Sequence, residues 1–528
     1  MMISDPITQG LASAWQHLDG ALQQDAQHLE CDVLIVGSGA GGGMCAQVLA
    51  EAGLAVILVE QGPLKSSQDF KLQERYAYPD LYQESAARKT KDKAIRIFQG
   101  RCVGGSTTVN WTTSLRTPEP TLQHWQQHWG LSPLSGAALA PYFAKAEQML
   151  NIQPWLNHNP NNALLAKGCE KLNWSYQSIP RNVKQCWDLG YCGMGCPTNA
   201  KQSMLVTAIP AALNAGARIL SRFSVERLLI KQQQLQGASL QALDAKLRPS
   251  GITVTVRARQ VVLAAGAIGS PAVLLRSKVP DPYQLVGKRT FLHPSVMSGA
   301  LFTQTVNSHQ GAPQSVYSDH FVWQDGAEGE CGYKMEVPPV HPILLATTLS
   351  GFGHFHQQLM ARYPHLQVTI ALLRDGFHPD SPGGTVQLRE DGSPVLDYPL
   401  HEFMWRGARR ALLSMAELQF AAGARRVFPL HEQARLYRSW SEAKQAIASL
   451  PMQALATRLA SAHVMGGCAM GGDERSSLVD HQGQYRWLSG LTVIDGSVFP
   501  TSLGANPQLT IYALALRNAE LLVKRLRG

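Results

Sequence analysis

At 528 residues the chain is about three times the size of a typical single domain, so two or more substructures around a large buried core are expected. Apolar residues make up 45% of it and charged residues 16%, which excludes a largely disordered chain. The formal charge of +9 is spread thinly: KTKDKAIR at 89–96 is the one notable basic cluster, and the absence of a basic stripe interleaved with aromatics argues against nucleic acid. The scatter reads as a solvated face, with an anionic membrane surface or an acidic partner as the alternatives.

Residues 1–30, MMISDPITQGLASAWQHLDGALQQDAQHLE, lack the basic start and apolar core of a secretory signal and read as a polar helical extension. Nine cysteines, an odd number, do not form a disulfide scaffold and favour a reducing compartment. No window reaches the roughly 18 apolar residues of a spanning helix, so the expectation is a cytoplasmic protein, at most peripheral at a membrane.

CDVLIVG (31–37), the helical pattern AGGGMCAQVLAEAG and AVILVE (55–60) read as strand, helix, strand, the opening unit of a doubly wound parallel sheet. Gly37, Gly39 and Gly42 have the G-x-G-x-x-G spacing, with Ser38 and Gly41 in the same cradle, so that backbone amides can reach a pyrophosphate at the positive end of the helix. Glu60 ends the second strand, where an acid binds ribose hydroxyls. The fingerprint names a dinucleotide without choosing between NAD and FAD.

GRCVGGSTTVNW (100–111) is a second glycine-rich segment that allows close approach to a flat ligand. Here the chain resembles the glucose-methanol-choline (GMC) oxidoreductases, whose similar segment lies against FAD. QVVLAAGAIGSPAVLLRS (260–277), LVGKRTFLHP (285–294) and the tail continue the resemblance, which covers residue 31 to the C-terminus. It implies an FAD-binding Rossmann-like sheet, discontinuous over 31–115, 200–300 and 455–528, with 116–199 as a connecting, Cys-rich segment. The inserted α+β substrate domain is expected at 301–454, where short alternating runs such as GGTVQLREDGSPVLDYPL also suggest hairpins.

Cys186, Cys192 and Cys196 fall within eleven residues of one another. Their spacing is not that of zinc or iron–sulfur sites, and a packed loop with free thiols is the plainer reading; no metal is expected. A similar Cys/Gly-rich segment occurs in relatives of long-chain fatty alcohol oxidases, which implies larger apolar alcohols.

In the tail, the resemblance carries the family's catalytic histidine onto His463 in AHVMGGCAMG and its partner onto Asn506 in NPQLT. An alcohol near pKa 15.7 and an imidazole near 6.5 differ by roughly 9 units, or about 12 kcal/mol, so free alkoxide cannot accumulate before hydride loss. The expected mechanism has His463 taking the proton as hydride passes to the flavin, with Asn506 orienting the hydroxyl. Pro507 suits the first helical position, with Gln508 after it, and the helix start would face the negative charge of the reduced flavin. Asn506 has a second sufficient explanation, as the cap of that helix.

The match further implies FAD contacts from Arg101, Gly104, Gly105, Ser106 and Asn110, from the Val225 backbone at the adenine half, and from Asp495 near the ribityl or pyrophosphate. Some family members attach FAD through a histidine where this chain has Val109, so noncovalent FAD is expected. Glu336 in YKMEVPP reads either as an acid near the substrate, as in the similar cholesterol oxidases, or as an exposed strand residue. The expected activity is oxidation of a fairly apolar primary alcohol; a lyase or light-driven decarboxylase using the same FAD is the alternative. The electron acceptor, O2, a quinone or a redox protein, is left open.

Overall fold

Val33–Val36 and Val56–Glu60 are buried on both faces, as strands between layers must be, and each pairs in parallel with its neighbours. They form the centre of the first sheet in the computed structural model, which describes residues 4–13 and 15–528. The strand order is Gln16–Asp19, Arg218–Ser221, Val56–Glu60, Gln27–Val36, Pro249–Leu263, Gln234–Leu243 and Phe223–Lys231, with Leu491–Val493 pairing Pro249–Leu263. The last two strands on the path form an antiparallel meander with Pro249–Leu263, and every other pairing is parallel. The helix Ala40–Glu51 packs against the helices Ala208–Asn214 and Gln508–Arg527, which completes a Rossmann-like α/β layer.

The expected helical extension over 1–30 needs correction. Only Pro6–Ser13 is helical; Gln16–Asp19 forms an edge strand beside Arg218–Ser221, and the strand placed at residue 31 begins at Gln27. Pairing across some two hundred residues leaves no local trace. Met1–Ile3 and Ala14, part of that expectation, lie outside the described residues.

The second sheet is almost wholly antiparallel, in the order Ile95–Ile97, Leu459–Ser461, Ser295–Leu301, Leu366–Leu373, Tyr333–Glu336, Val316–Phe321 and Gln177–Ser178. Its outer strands come from outside 301–454, so the inserted segment does not build this sheet alone. Alternation assigns the faces. Val296, Ala300, Ala371, Leu373, Tyr333 and Met335 pack into a core with the helix Glu402–Ala421. Ser295, Met297, Val368, Ile370, Leu372 and Glu336 face a cavity between the two sheets. The hairpin expected around Asp391 and Gly392 is present, Thr385–Leu388 pairing with Pro394–Asp397.

Candidate active site

The cavity encloses about 1170 Å³ and runs from Val225 and Leu243 to Glu336 and Asn506, lined along its way by both glycine-rich segments. Gly39 stands before the helix Ala40–Glu51 and no side chain among the described residues caps it, so the first helical amides face the cavity. A Cβ on Gly41 would fall 1.9 Å from Ile494 O, and on Gly42 1.8 Å from Gly37 O, so both positions are closed by backbone. At Gly39 the nearest atom would be Gly105 Cα at 3.9 Å; the room there belongs to the cavity. A cradle of this form suits a pyrophosphate.

The two loops are tied together. Gly104 N–H donates to Ser38 Oγ (3.0 Å), whose hydroxyl donates to Glu60 Oε2 (2.6 Å), while Glu60 Oε1 accepts from Gly62 N–H (3.0 Å). Burial pushes the Glu60 carboxyl up. Ser106 Oγ accepts from Gly100 N–H (2.9 Å), and Gly105 lines the cavity beside it. Arg101 also lines it, and its buried Nε–H has no partner among the described residues, a donor suited to an anion.

At the far ends the expected residues are turned partly toward protein. Val225 O accepts from Arg276 (2.8 Å), which leaves its carbonyl already engaged at the adenine end. Asp495 accepts from Gly266 N–H (2.8 Å) and Ser270 Oγ (2.6 Å), fastening one helix start to the tail while lining the cavity. Asn110 Nδ2 donates to Gln508 Oε1 (2.6 Å), and Gln508 Nε2 donates to Thr113 O (2.7 Å). The helix runs Gln508–Arg527 with Pro507 in the capping position, and this start opens on the cavity.

Of the two explanations for Asn506 the cap falls away: among the described residues its side chain bonds Lys334 and Glu336 and approaches His463, and no amide of that helix donates to it. Its Oδ1 accepts from Lys334 Nζ, and its Nδ2 donates to Glu336 Oε2 (3.4 Å) and lies 3.3 Å from His463 Nε2. Glu336 is not an exposed strand residue; its side chain is 1% exposed, with Oε1 2.8 Å from Lys334 Nζ and Oε2 accepting from Gln314 Nε2 (2.7 Å). Burial pushes His463 down to about 4, so its imidazole is neutral at pH 7.

Three residues of this cluster were not singled out from sequence. Lys334 is two residues from Glu336 on one strand, and that spacing is the signal that could have found it. Gln314 carries no such signal. His293 lies in the FLHP segment and is held at φ +45, its amide donating to Asp375 Oδ1 (3.1 Å), a strained conformation typical of functional positions. Burial pushes His293 well down, so it too is neutral.

The neutral pair has a defined proton order. Gly504 N–H donates to His293 Nε2 (3.1 Å), so His293 carries its proton on Nδ1 and donates to His463 Nδ1 (3.2 Å). That places the proton of His463 on Nε2. His463 Nε2–H and Asn506 Nδ2–H then converge, and one oxygen between them would satisfy both.

Of the cysteine group, Cys192 Sγ accepts from the buried Arg181 (3.6 Å), and the Lys201 ammonium donates to Thr108 O (2.6 Å), Asn110 O (2.9 Å) and Cys192 O (2.6 Å). The Cys-rich loop is thereby pinned to the segment that lines the cavity.

A nucleotide cradle joined to a buried acid–base cluster fits a dinucleotide-dependent oxidoreductase. Comparison with known proteins agrees: residues 78–295 and 379–515 match profiles described as GMC oxidoreductase, and 32–71 match one described as FAD binding domain. An uncharacterized GMC-type oxidoreductase of Sinorhizobium fredii is 30% identical over 505 residues, 93% of this chain and 94% of its own. A long-chain-alcohol oxidase of Arabidopsis thaliana is 27% identical over 531 residues, 95% of this chain and 68% of its own. Among solved structures, an Aspergillus oryzae formate oxidase variant studied for FAD modification superposes with a TM-score of 0.70 at 14% identity, covering 95% of this chain and 99% of that one. The chain belongs to the GMC oxidoreductase family.

Proposed function

We propose that the protein oxidises the CH–OH group of a fairly apolar primary alcohol to the aldehyde. The observation that carries this is the meeting of His463, Asn506 and Glu336 at one end of the cavity, beside an apolar wall of Met297, Val368, Ile370 and Leu430. FAD, when bound, supplies the hydride acceptor. Val109 offers no imidazole for attachment, which supports noncovalent FAD. His463 Nε2 takes the hydroxyl proton once the histidine pair has reversed its proton order and given up the Gly504 bond to His293 Nε2, and Asn506 orients the oxygen. An imidazole held near 4 is a weak base, so the proton leaves the alcohol only as the C–H bond breaks.

The proton order of the histidine pair favours a second reading of the proton's destination. With its proton on Nε2, His463 grips the substrate oxygen as a donor beside Asn506, and the Glu336 carboxylate accepts the hydroxyl proton. Anaerobic flavin reduction by medium-chain and aromatic primary alcohols tests the function, and failure of every one to bleach the flavin would sink it. His463→Ala should slow reduction by roughly 10² to 10⁴ on either reading. Glu336→Gln separates them: a comparable loss assigns the proton to Glu336, a small one to His463.

A further inference from the structure

The cavity opens to solvent beside a helical hairpin, Pro342–Thr348 and Gly353–Ala361, joined by the bond between His356 Nε2 and Ala346 O (3.0 Å). Its inner face is anchored: Leu345, Leu349 and Leu359 are buried with Val340, Val368 and Leu430. Glu74 accepts from the Ile343 and Leu344 amides (2.6 and 2.7 Å), which fixes the start of the first helix. Its tip is another matter. Phe352, between Gly351 and Gly353, is 91% exposed, and Ile343 is 45% exposed. From Val337 to Ala361 the chain carries no Asp, Glu, Lys or Arg. A water-facing surface gains nothing from a bare phenylalanine on an uncharged hairpin.

The same mouth holds the basic run 89–96, in which Lys89, Lys91, Lys93 and Arg96 outnumber the one acid, Asp92. Arg96 donates to Thr347 Oγ1 (3.2 Å), and Lys89, Lys93, Thr347 and Leu455 each line the cavity while exposed to solvent. Lys91 is paired with Asp397, but Lys89 and Lys93 join no ion pair among the described residues. An apolar knob and unpaired cations on one rim suit the boundary of an anionic bilayer, where aromatic side chains enter the headgroup layer and lysines meet its charge.

We propose that this rim, with Phe352 as its insertion point, docks the protein on an anionic membrane and turns the cavity mouth toward the lipid, so that apolar alcohols enter without crossing water. The docking stands on the surface itself; only the cargo rests on the alcohol reading above.

The holoenzyme is floated with vesicles of phosphatidylcholine alone and with vesicles rich in phosphatidylglycerol. The wild type should float with the anionic vesicles, Phe352→Asp should lower the bound fraction at least about fivefold, and Lys89→Gln with Lys93→Gln should lower it about fivefold per lysine. Flavin reduction by a water-soluble alcohol should be unchanged in Phe352→Asp. Absence of wild-type flotation, or a Phe352→Asp variant that floats like the wild type, overturns the proposal. So does light scattering that shows a vesicle-free dimer lost in Phe352→Asp, which would make this face the contact between two copies. Flotation that persists when no alcohol reduces the flavin supports the docking surface and rejects only the alcohol reading.

Discussion

Lys334 Nζ donates to Asn506 Oδ1 and sits 2.8 Å from Glu336 Oε1, so one buried ammonium both turns the carboxamide into the cavity and neutralises the carboxylate beside it. Lys334→Met leaves that carboxylate uncompensated and should lower the unfolding free energy by about 3–5 kcal/mol in urea titrations. The double variant Lys334→Met/Glu336→Gln removes both charges and should recover most of the loss. A single variant as stable as the wild type would show that the pair carries little charge.

A residue that served only to cap a helix would be interchangeable with serine. Because the Asn506 side chain is turned to Lys334, Glu336 and His463, Asn506→Ser should instead slow flavin reduction by at least about tenfold. Stopped-flow reduction at saturating alcohol reads this, and unchanged rates would return Asn506 to a structural role.

The glycine cradle separates packing from binding. Gly41→Ala drives a Cβ to 1.9 Å from Ile494 O, so the variant should be insoluble or melt far below the wild type. Gly39 has an ordinary negative φ and open space, so Gly39→Ala should fold with near-normal stability yet lose FAD, seen as a protein without the yellow flavin absorbance. Equal flavin content in wild type and Gly39→Ala would mean that the dinucleotide does not approach there.

His341 is 3% exposed and held at about 4 by burial, below the 6.5 of an unfolded chain. The unfolded state therefore binds the extra proton between those values, and stability is lost as pH falls through 6.5 toward 4. Relative to the wild type, His341→Phe should flatten this decline by up to about 3 kcal/mol between pH 7 and pH 4. Parallel profiles in urea unfolding would mean that His341 is solvated in the native protein.

Trichloroacetic acid precipitation should leave the flavin in the supernatant, as expected with Val109 where an attaching histidine stands in some relatives. Yellow protein in the pellet would show a covalent bond formed elsewhere.

What sequence reading reached follows from how locally each feature is encoded. Gly37–Gly42 and the flanking apolar strands are a short-range pattern, and the structure builds the strand–turn–helix that the pattern implies. His463 and Asn506 were reached through motif resemblance, although the direction of the Asn506 carboxamide depends on Lys334, which is 172 residues away. A separation of 170 residues hid His293: nothing local in FLHP says that its ring will meet His463. Gln16–Asp19 is too short for a periodicity, and its strand character comes only from the partner that arrives two hundred residues later.

The strand order of the first sheet also sets a timetable for synthesis. Gln27–Val36 leaves the ribosome early, but its partner Pro249–Leu263 comes far later, and the strand Leu491–Val493 and the helix Gln508–Arg527 come last. At about 5–20 residues per second the nascent chain carries unpaired apolar strands for tens of seconds. The ligand cradle, closed at Gly41 by Ile494, is therefore complete only once the tail has emerged; FAD loading should follow synthesis, and truncation of the final helix should yield a colourless product.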